Sequence, residues 1–282
     1  MKYSAAHVML LTVFSMVLGA QEPPPVAAPA QPPVVAAAPV PVLENNGKPI
    51  VVPFQCSLED VQWAGLSCSE DDPCPMFLEL ASLHTEGMRI LVAGNVHSSA
   101  VTLASVLLGS EDGGRTWREV HPHIRGAALD RVQFLDAENG WASGESISPL
   151  PQDPFVLVTS DGGKNWRQRP IFGESRESRF GSVQQFGFTA KDSGSLIVDR
   201  GQGADGDRYE LYESPDGGDS WTVSETSSKP LKLKRPPPAP PTDWRLRADG
   251  PTQAFRIEHR VGERWVSVAA FAVKLAGCKP TP

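Results

Sequence analysis

All-β, built from repeated four-stranded units, is the fold class that three observations predict. First, one eight-residue phrase occurs three times: "SEDGGRTW" from 110, "TSDGGKNW" from 159 and "SPDGGDSW" from 214, 49 and 55 residues apart. Second, a weaker phrase precedes each copy, with an aromatic six residues before a glycine: Phe134 and Gly140, Phe188 and Gly194, with Trp244 and Gly250 in a fourth place. Ala81 and Gly87 keep that spacing ahead of the first octapeptide. Third, the runs between these phrases are short, alternate in polarity and are bounded by Asp, Asn, Gly and Pro. No window carries a helical period, and "LEDVQWAGL" at 58–66 is too short to count as one. Four-stranded units at such spacing are the sequence sign of propeller blades.

Each unit reads in the same order. In the second, "RVQFLD", "GWASGE", "PFVLVTSD" and "NWRQRP" give four strands; in the third, "VQQFGFTA", "SLIVDR", "RYELYESPD" and "SWTVSE" repeat them. The first unit covers 76–122, the second 128–170, the third 182–226 and the fourth 243–271. The fourth lacks an intact octapeptide but keeps Gly262 three residues before Trp265, the spacing of Gly114 and Trp117. Residues 48–282 thus make a propeller of four blades. Residues 49–66 either add a strand to the last blade and close the ring or begin a fifth.

The octapeptide has a physical reading as a hairpin turn. Glycine enters positive φ at little cost, and an aspartate carboxylate accepts N–H bonds from its own turn. Ser110, Asp112, Gly114 and Trp117 form the first copy, Thr159, Asp161, Gly163 and Trp166 the second, and Ser214, Asp216, Gly218 and Trp221 the third. Each tryptophan opens the return strand and covers its turn. None of these roles needs a substrate.

The ends of the chain read differently. Residues 1–20 have the layout of a secretory signal, with a lone Lys2, an apolar run from Val8 to Leu18 and cleavage expected after Ala20. An uncleaved anchor is the alternative, and would be the chain's one membrane attachment. Residues 21–47 are rich in Pro, Ala and Val and read as an extended spacer. The expected location is periplasmic or extracellular. The four cysteines then form two disulfides. Proximity favours Cys68–Cys74, which leaves Cys56–Cys278 to clasp the two ends of the folded region.

Composition and motifs exclude several functions. The net charge of −7 disfavours nucleic acid. Asp205 and Asp207 lack the length and terminal acid of a calcium loop, His121 and His123 lack a third ligand, and no phosphate loop or nucleophile elbow appears. No metal or cofactor is expected. The basic segment 227–242, with Lys229, Lys232, Lys234 and Arg235, is either a docking arm for an acidic partner or a solvated inter-blade loop.

The phrase S/T-x-D-G-G-x-x-W resembles the Asp-box, or BNR repeat, of propellers such as sialidases, xyloglucanases and sortilin-type receptors. The fuller unit, "FLDAENGWASGE" followed by "VLVTSDGGKNW", is most similar to propellers of the photosystem II stability and assembly factor type. The resemblance covers about residues 76–271 and implies a propeller with structural boxes, not one activity. A sialidase would need a tyrosine nucleophile with a carboxylate partner and three arginines. Only Tyr209 and Tyr212 follow the leader, and "FRIEH" at 255–259 lacks the following proline of the arginine motif. The expectation is therefore a non-catalytic, exported scaffold that binds an envelope or secreted protein. The alternative is a glycan-binding protein or glycoside hydrolase of the Asp-box type.

Overall fold

The structure is a computed structural model that describes residues 40–147, 153–172, 181–201, 206–235 and 242–278. The expected leader, most of the spacer, Asp205 and the proline run 236–241 lie outside the described residues. Among the described residues no helix is long and apolar enough to cross a membrane.

The chain enters as β1 (Leu43–Glu44) and a six-residue helix α1 (Leu58–Trp63). The sequence reading passed over this helix because six residues carry no period; a cap defines it instead. Ser57 Oγ accepts the Asp60 N–H at 3.1 Å, and the Asp60 carboxylate returns to the Ser57 N–H at 2.7 Å, the reciprocal box that satisfies two orphan donors. Asp60 also pairs with Arg125, which ties the helix to the first sheet's exit.

Four antiparallel sheets follow. The first holds β2 (Phe77–Glu86), β3 (Arg89–His97), β4 (Thr102–Ser110) and β5 (Thr116–His121), with β1 added outside β5. The second runs β6 (Ala127–Phe134), β7 (Gly140–Ser146), β8 (Asp153–Thr159) and β9 (Arg167–Pro170). The third runs β10 (Ser182–Ala190), β11 (Ser193–Asp199), β12 (Tyr209–Ser214) and β13 (Thr222–Ser227). The last has only β14 (Trp244–Asp249), β15 (Ala254–Val261) and β16 (Arg264–Ala272). The expectation of four strands in every blade is thus corrected to five, four, four and three. At the edge of β16, Ile50 N–H donates to Ala270 O at 2.8 Å and Ala272 N–H to Ile50 O at 2.8 Å, in parallel pairing with Phe271. The chain start therefore stands where the fourth strand would be and covers an otherwise open edge.

The octapeptides form the turns β4–β5, β8–β9 and β12–β13. In the first, Gly113 and Gly114 sit at φ of 74° and 88°, the region glycine enters without a Cβ clash. Ser110 Oγ accepts the Gly114 N–H at 2.9 Å, and Asp112 Oδ1 accepts the Arg115 and Thr116 N–H groups at 3.0 and 2.9 Å. Trp117 is buried, donates its indole N–H to Gly114 O at 3.1 Å and meets Phe271 edge-on at 5.1 Å. The second phrase also acquires a cause. A Cβ on Gly140 would lie 2.4 Å from the Phe134 ring, and one on Gly194 2.4 Å from Phe188. The aromatic rests on the glycine opposite it, which requires that pair of residues together.

Successive sheets stack through shared cores. Leu91, Leu107, Leu129 and Phe155 fill the layer between the first and second sheets; Trp141, Val156, Phe186 and Phe188 fill the next. Side-chain amides lock these two joints: the buried Asn95 bonds the N–H and C=O of Leu129, and the half-buried Gln133 those of Phe188. Trp117, Ile257, Ala269 and Phe271 join the first and last sheets, beside the Cys56–Cys278 bridge. Cys68–Cys74 is the second disulfide. Cys278 N–H donates to Cys74 O at 2.7 Å, so both bridges meet in one clasp.

The basic segment is neither a free arm nor a fully solvated loop. Leu231 and Leu233 pack on Ile197, Leu211 and Tyr209 of the third sheet. Gln185 bonds Leu231 O at 3.4 Å and the Leu233 N–H at 3.3 Å, the role Gln133 plays one joint earlier. Lys232 and Lys234 alternate outward, and Lys234 reaches Glu225 at 3.4 Å. Lys229 and Arg235 are exposed. The period of two in Leu-Lys-Leu-Lys is what lets this stretch cap an apolar sheet face.

Candidate glycan-binding site

The edge strands β2 and β14 flank a cavity of about 270 Å³, lined by Ser82, Leu83, Thr85, Trp244, Arg245 and Leu246. Local rules explain why an indole is available there. Phe134 and Phe188 are each consumed by the glycine opposite them. Trp244 occupies the same place in its unit, but the space about Gly250 is open, and the cross-strand partner of Trp244 is His259. The indole stacks on that imidazole, centroids 4.5 Å apart, and is only half-buried.

Next along β14, Arg245 lies over the Trp265 ring at 4.1 Å. Its Nε donates to Glu258 Oε2 at 2.7 Å, while Arg247 Nε donates to Glu258 Oε1 at 3.2 Å. Glu258 is 5% exposed, and each of its oxygens holds an arginine. Arg256, the arginine of "FRIEH", pairs with Asp249 at 2.7 Å. This sheet therefore presents half-exposed guanidinium groups whose positions are fixed by two carboxylates. The indole of Trp244 and the hydroxyl of Thr85 beside one small cavity can hold an apolar face and a polar edge together, as a pyranose requires, while the Arg245 guanidinium is held on the opposite face of β14. Ser82 Oγ accepts the Val132 N–H at 3.1 Å, which turns its hydroxyl toward the second sheet.

A second polar feature lies on the second sheet. β6 carries a bulge at Asp130, where the register slips between Leu129–Gly144 and Arg131–Ser143. Ala81 and Gln184 occupy the same slip in the first and third sheets, so the acid is particular to the second. Burial pushes the Asp130 carboxyl up, Arg131 opposes this, and Glu79 adds to it. Across the pair, Glu145 is pushed up to about 7, by burial first and by the Asp130 charge second. Glu145 Oε2 and Ser143 Oγ are buried without a hydrogen-bond partner.

The turn acids have opposite character. Asp112 is held down to about 2, chiefly by the Thr116 N–H, and Asp161 to about 2, chiefly by the Asn165 side chain. Asp216 is lowered mainly by the Ser220 hydroxyl. All three carboxylates are occupied within their own turns. The structure places the tryptophans Trp117, Trp166 and Trp221 against Phe271, Phe134 and Phe188. None of the residues named above for the octapeptides lines the cavity. Tyr209 and Tyr212 lie in the third sheet, with Tyr212 buried and bonded to Glu210 at 2.7 Å. His121 and His123 do not converge: His121 Nδ1 meets Pro122 O at 2.6 Å, and His123 Nε2 lies 3.2 Å from Glu119. Sequence reasoning missed the cavity residues and the Asp130–Glu145 pair. The one signal for the first was an aromatic-to-glycine phrase surviving in a unit that had lost its octapeptide.

No family model and no curated protein matches the chain. Among solved structures, it is similar to a GH74 xyloglucanase from Xanthomonas campestris, at 20% identity over 49% of this chain and 19% of that one, TM-score 0.36. It is also similar to a PL25 ulvan lyase, at 10% identity over 75% and 54%, TM-score 0.41, and to the phage phi92 endosialidase, at 10% over 67% and 42%, TM-score 0.38. The matched stretch thus spans from a fifth to about half of those proteins. The expectation of a non-catalytic protein is corrected on this finding: the structures it resembles are a hydrolase, a lyase and an endosialidase.

Proposed function

We propose that this chain is an exported propeller that binds a glycan between its first and last sheets. The supporting observation is the cavity of about 270 Å³ between β2 and β14, in which the half-buried Trp244 stands beside the hydroxyl-bearing Thr85. The indole offers a flat apolar surface for the C–H face of a sugar ring. Two disulfides support export, as does the leader expected at 1–20.

Titration calorimetry of the purified chain against soluble xyloglucan, ulvan and sialyl oligosaccharides tests this reading. At least one should bind, and Trp244→Ala should weaken it about tenfold, the loss of one aromatic contact. Binding unchanged in that variant, or no binding across the panel, overturns the assignment. Product release from the same panel measures turnover.

A further inference from the structure

On the second sheet, Ser143 and Glu145 alternate along β7 on the same face as Trp141, the face turned toward the third sheet. Asp130 is the extra residue of the β6 bulge, two residues after Ala128, which pairs with Glu145. Ser143 is 0% exposed and its Oγ has no partner; Glu145 Oε2 is likewise buried and unpaired. Buried oxygens in a folded protein are satisfied in all but a few cases, and each orphan calls for a partner of matching chemistry. Here every orphan is an oxygen, and two of the three side chains are carboxyls with no lysine or arginine paired to them by a salt bridge among the described residues.

From this geometry we propose a cation site of calcium type at Asp130, Ser143 and Glu145. A hard divalent ion takes six to eight oxygen ligands with tolerant geometry. Two carboxylates and one hydroxyl supply up to five, and water supplies the rest. Among the described residues no set of three or more acidic, histidine or cysteine side chains converges to hold a metal. The proposed site is accordingly of the weak, water-completed kind rather than a fully protein-built cage. Register decides it: in the bulge Asp130 and Arg131 together oppose Ser143, two residues from Glu145 on the same strand. This inference stands apart from the glycan reading, since the cavity between β2 and β14 shares none of these residues.

The test is thermal melting of the full chain in EDTA, in CaCl2 and in MgCl2 at matched ionic strength. Calcium at about ten times half-saturation should raise the melting temperature by about 3–6 °C, with magnesium giving less. Glu145→Gln and Asp130→Asn should each still unfold in one cooperative transition in EDTA and lose the calcium response. Ser143→Ala, which removes one uncharged ligand, should need several-fold more calcium for half the effect. Should one acidic variant fail to fold, the other and Ser143→Ala carry the same comparison. An absent calcium response, an equal response to magnesium, or a response that survives in both acidic variants overturns the proposal.

Discussion

Two groups of carboxylates in this molecule have opposite surroundings. Those of the octapeptide turns are half-buried or exposed, and each accepts several bonds; Asp112 takes N–H groups from Arg115 and Thr116 and the hydroxyls of Ser110 and Thr116. Those of the second sheet are half-buried, and Glu145 Oε2 accepts none. The contrast separates a structural acid from a candidate functional one by hydrogen-bond satisfaction rather than by burial or conspicuousness in the sequence. The thrice-repeated aspartate is the conspicuous one, and its turn already uses it fully.

The largest test of the turn side removes its anchor. Trp117→Ala should cost about 3–5 kcal/mol in stability by calorimetry, because a fully buried indole wedged on Phe271 leaves a cavity where the first and last sheets meet. The cost should fall on stability alone, with affinity at the Trp244 cavity unchanged in the folded fraction. A loss of binding without a loss of stability would reverse the assignment of this turn.

Asp112→Ala is the next largest, expected near 1–2 kcal/mol in denaturant melts, since several backbone donors lose one acceptor but regain water. A cost as large as that of Trp117→Ala would show the turn to be more than a local fastener.

The pH dependence should then separate the two groups. Asp112 and Asp161 titrate near 2 in the fold, below the usual carboxylate value. They therefore stabilise the fold above about pH 4, and that contribution is lost as pH falls toward 2. Glu145 titrates near 7. Between its ordinary value and 7 the fold holds a proton that the unfolded chain has released, so this group destabilises increasingly as pH rises through that window. In EDTA, the change in melting temperature from pH 5 to pH 8 should be smaller in Glu145→Gln than in the parent, by about 1–3 °C. An identical profile would mean that Glu145 is ordinary and that the two groups do not differ as described.

Much of the fold was legible because its rules are local. The octapeptides announced three turns through glycine at positive φ and an acid two residues after a hydroxyl, and the structure shows those bonds within a few residues of each other. The aromatic-to-glycine phrase marked paired strands, because ring and glycine face each other across one hairpin. Cys68–Cys74 follows from spacing along the chain, and Cys56–Cys278 from what that pair leaves over. Strand count did not. Whether the last sheet has a fourth strand depends on Ile50 returning to Phe271, a partner over two hundred residues away that no local pattern names.

By itself, then, the sequence determined the turns, the repeat, the all-β class and the clasp of cysteines. Only the tertiary structure decided what the exceptions do. Trp244 became available because no ring-against-glycine packing consumed it; Leu231 and Leu233 became a cap because the third sheet left Ile197 and Leu211 uncovered. Asp130 met the field of Glu145 because the pairing of β6 with β7 set it across from Ser143, two residues from that acid. Each outcome depends on what stands opposite a residue across strands or sheets, and the distance that matters there is through space, which the order of residues does not record.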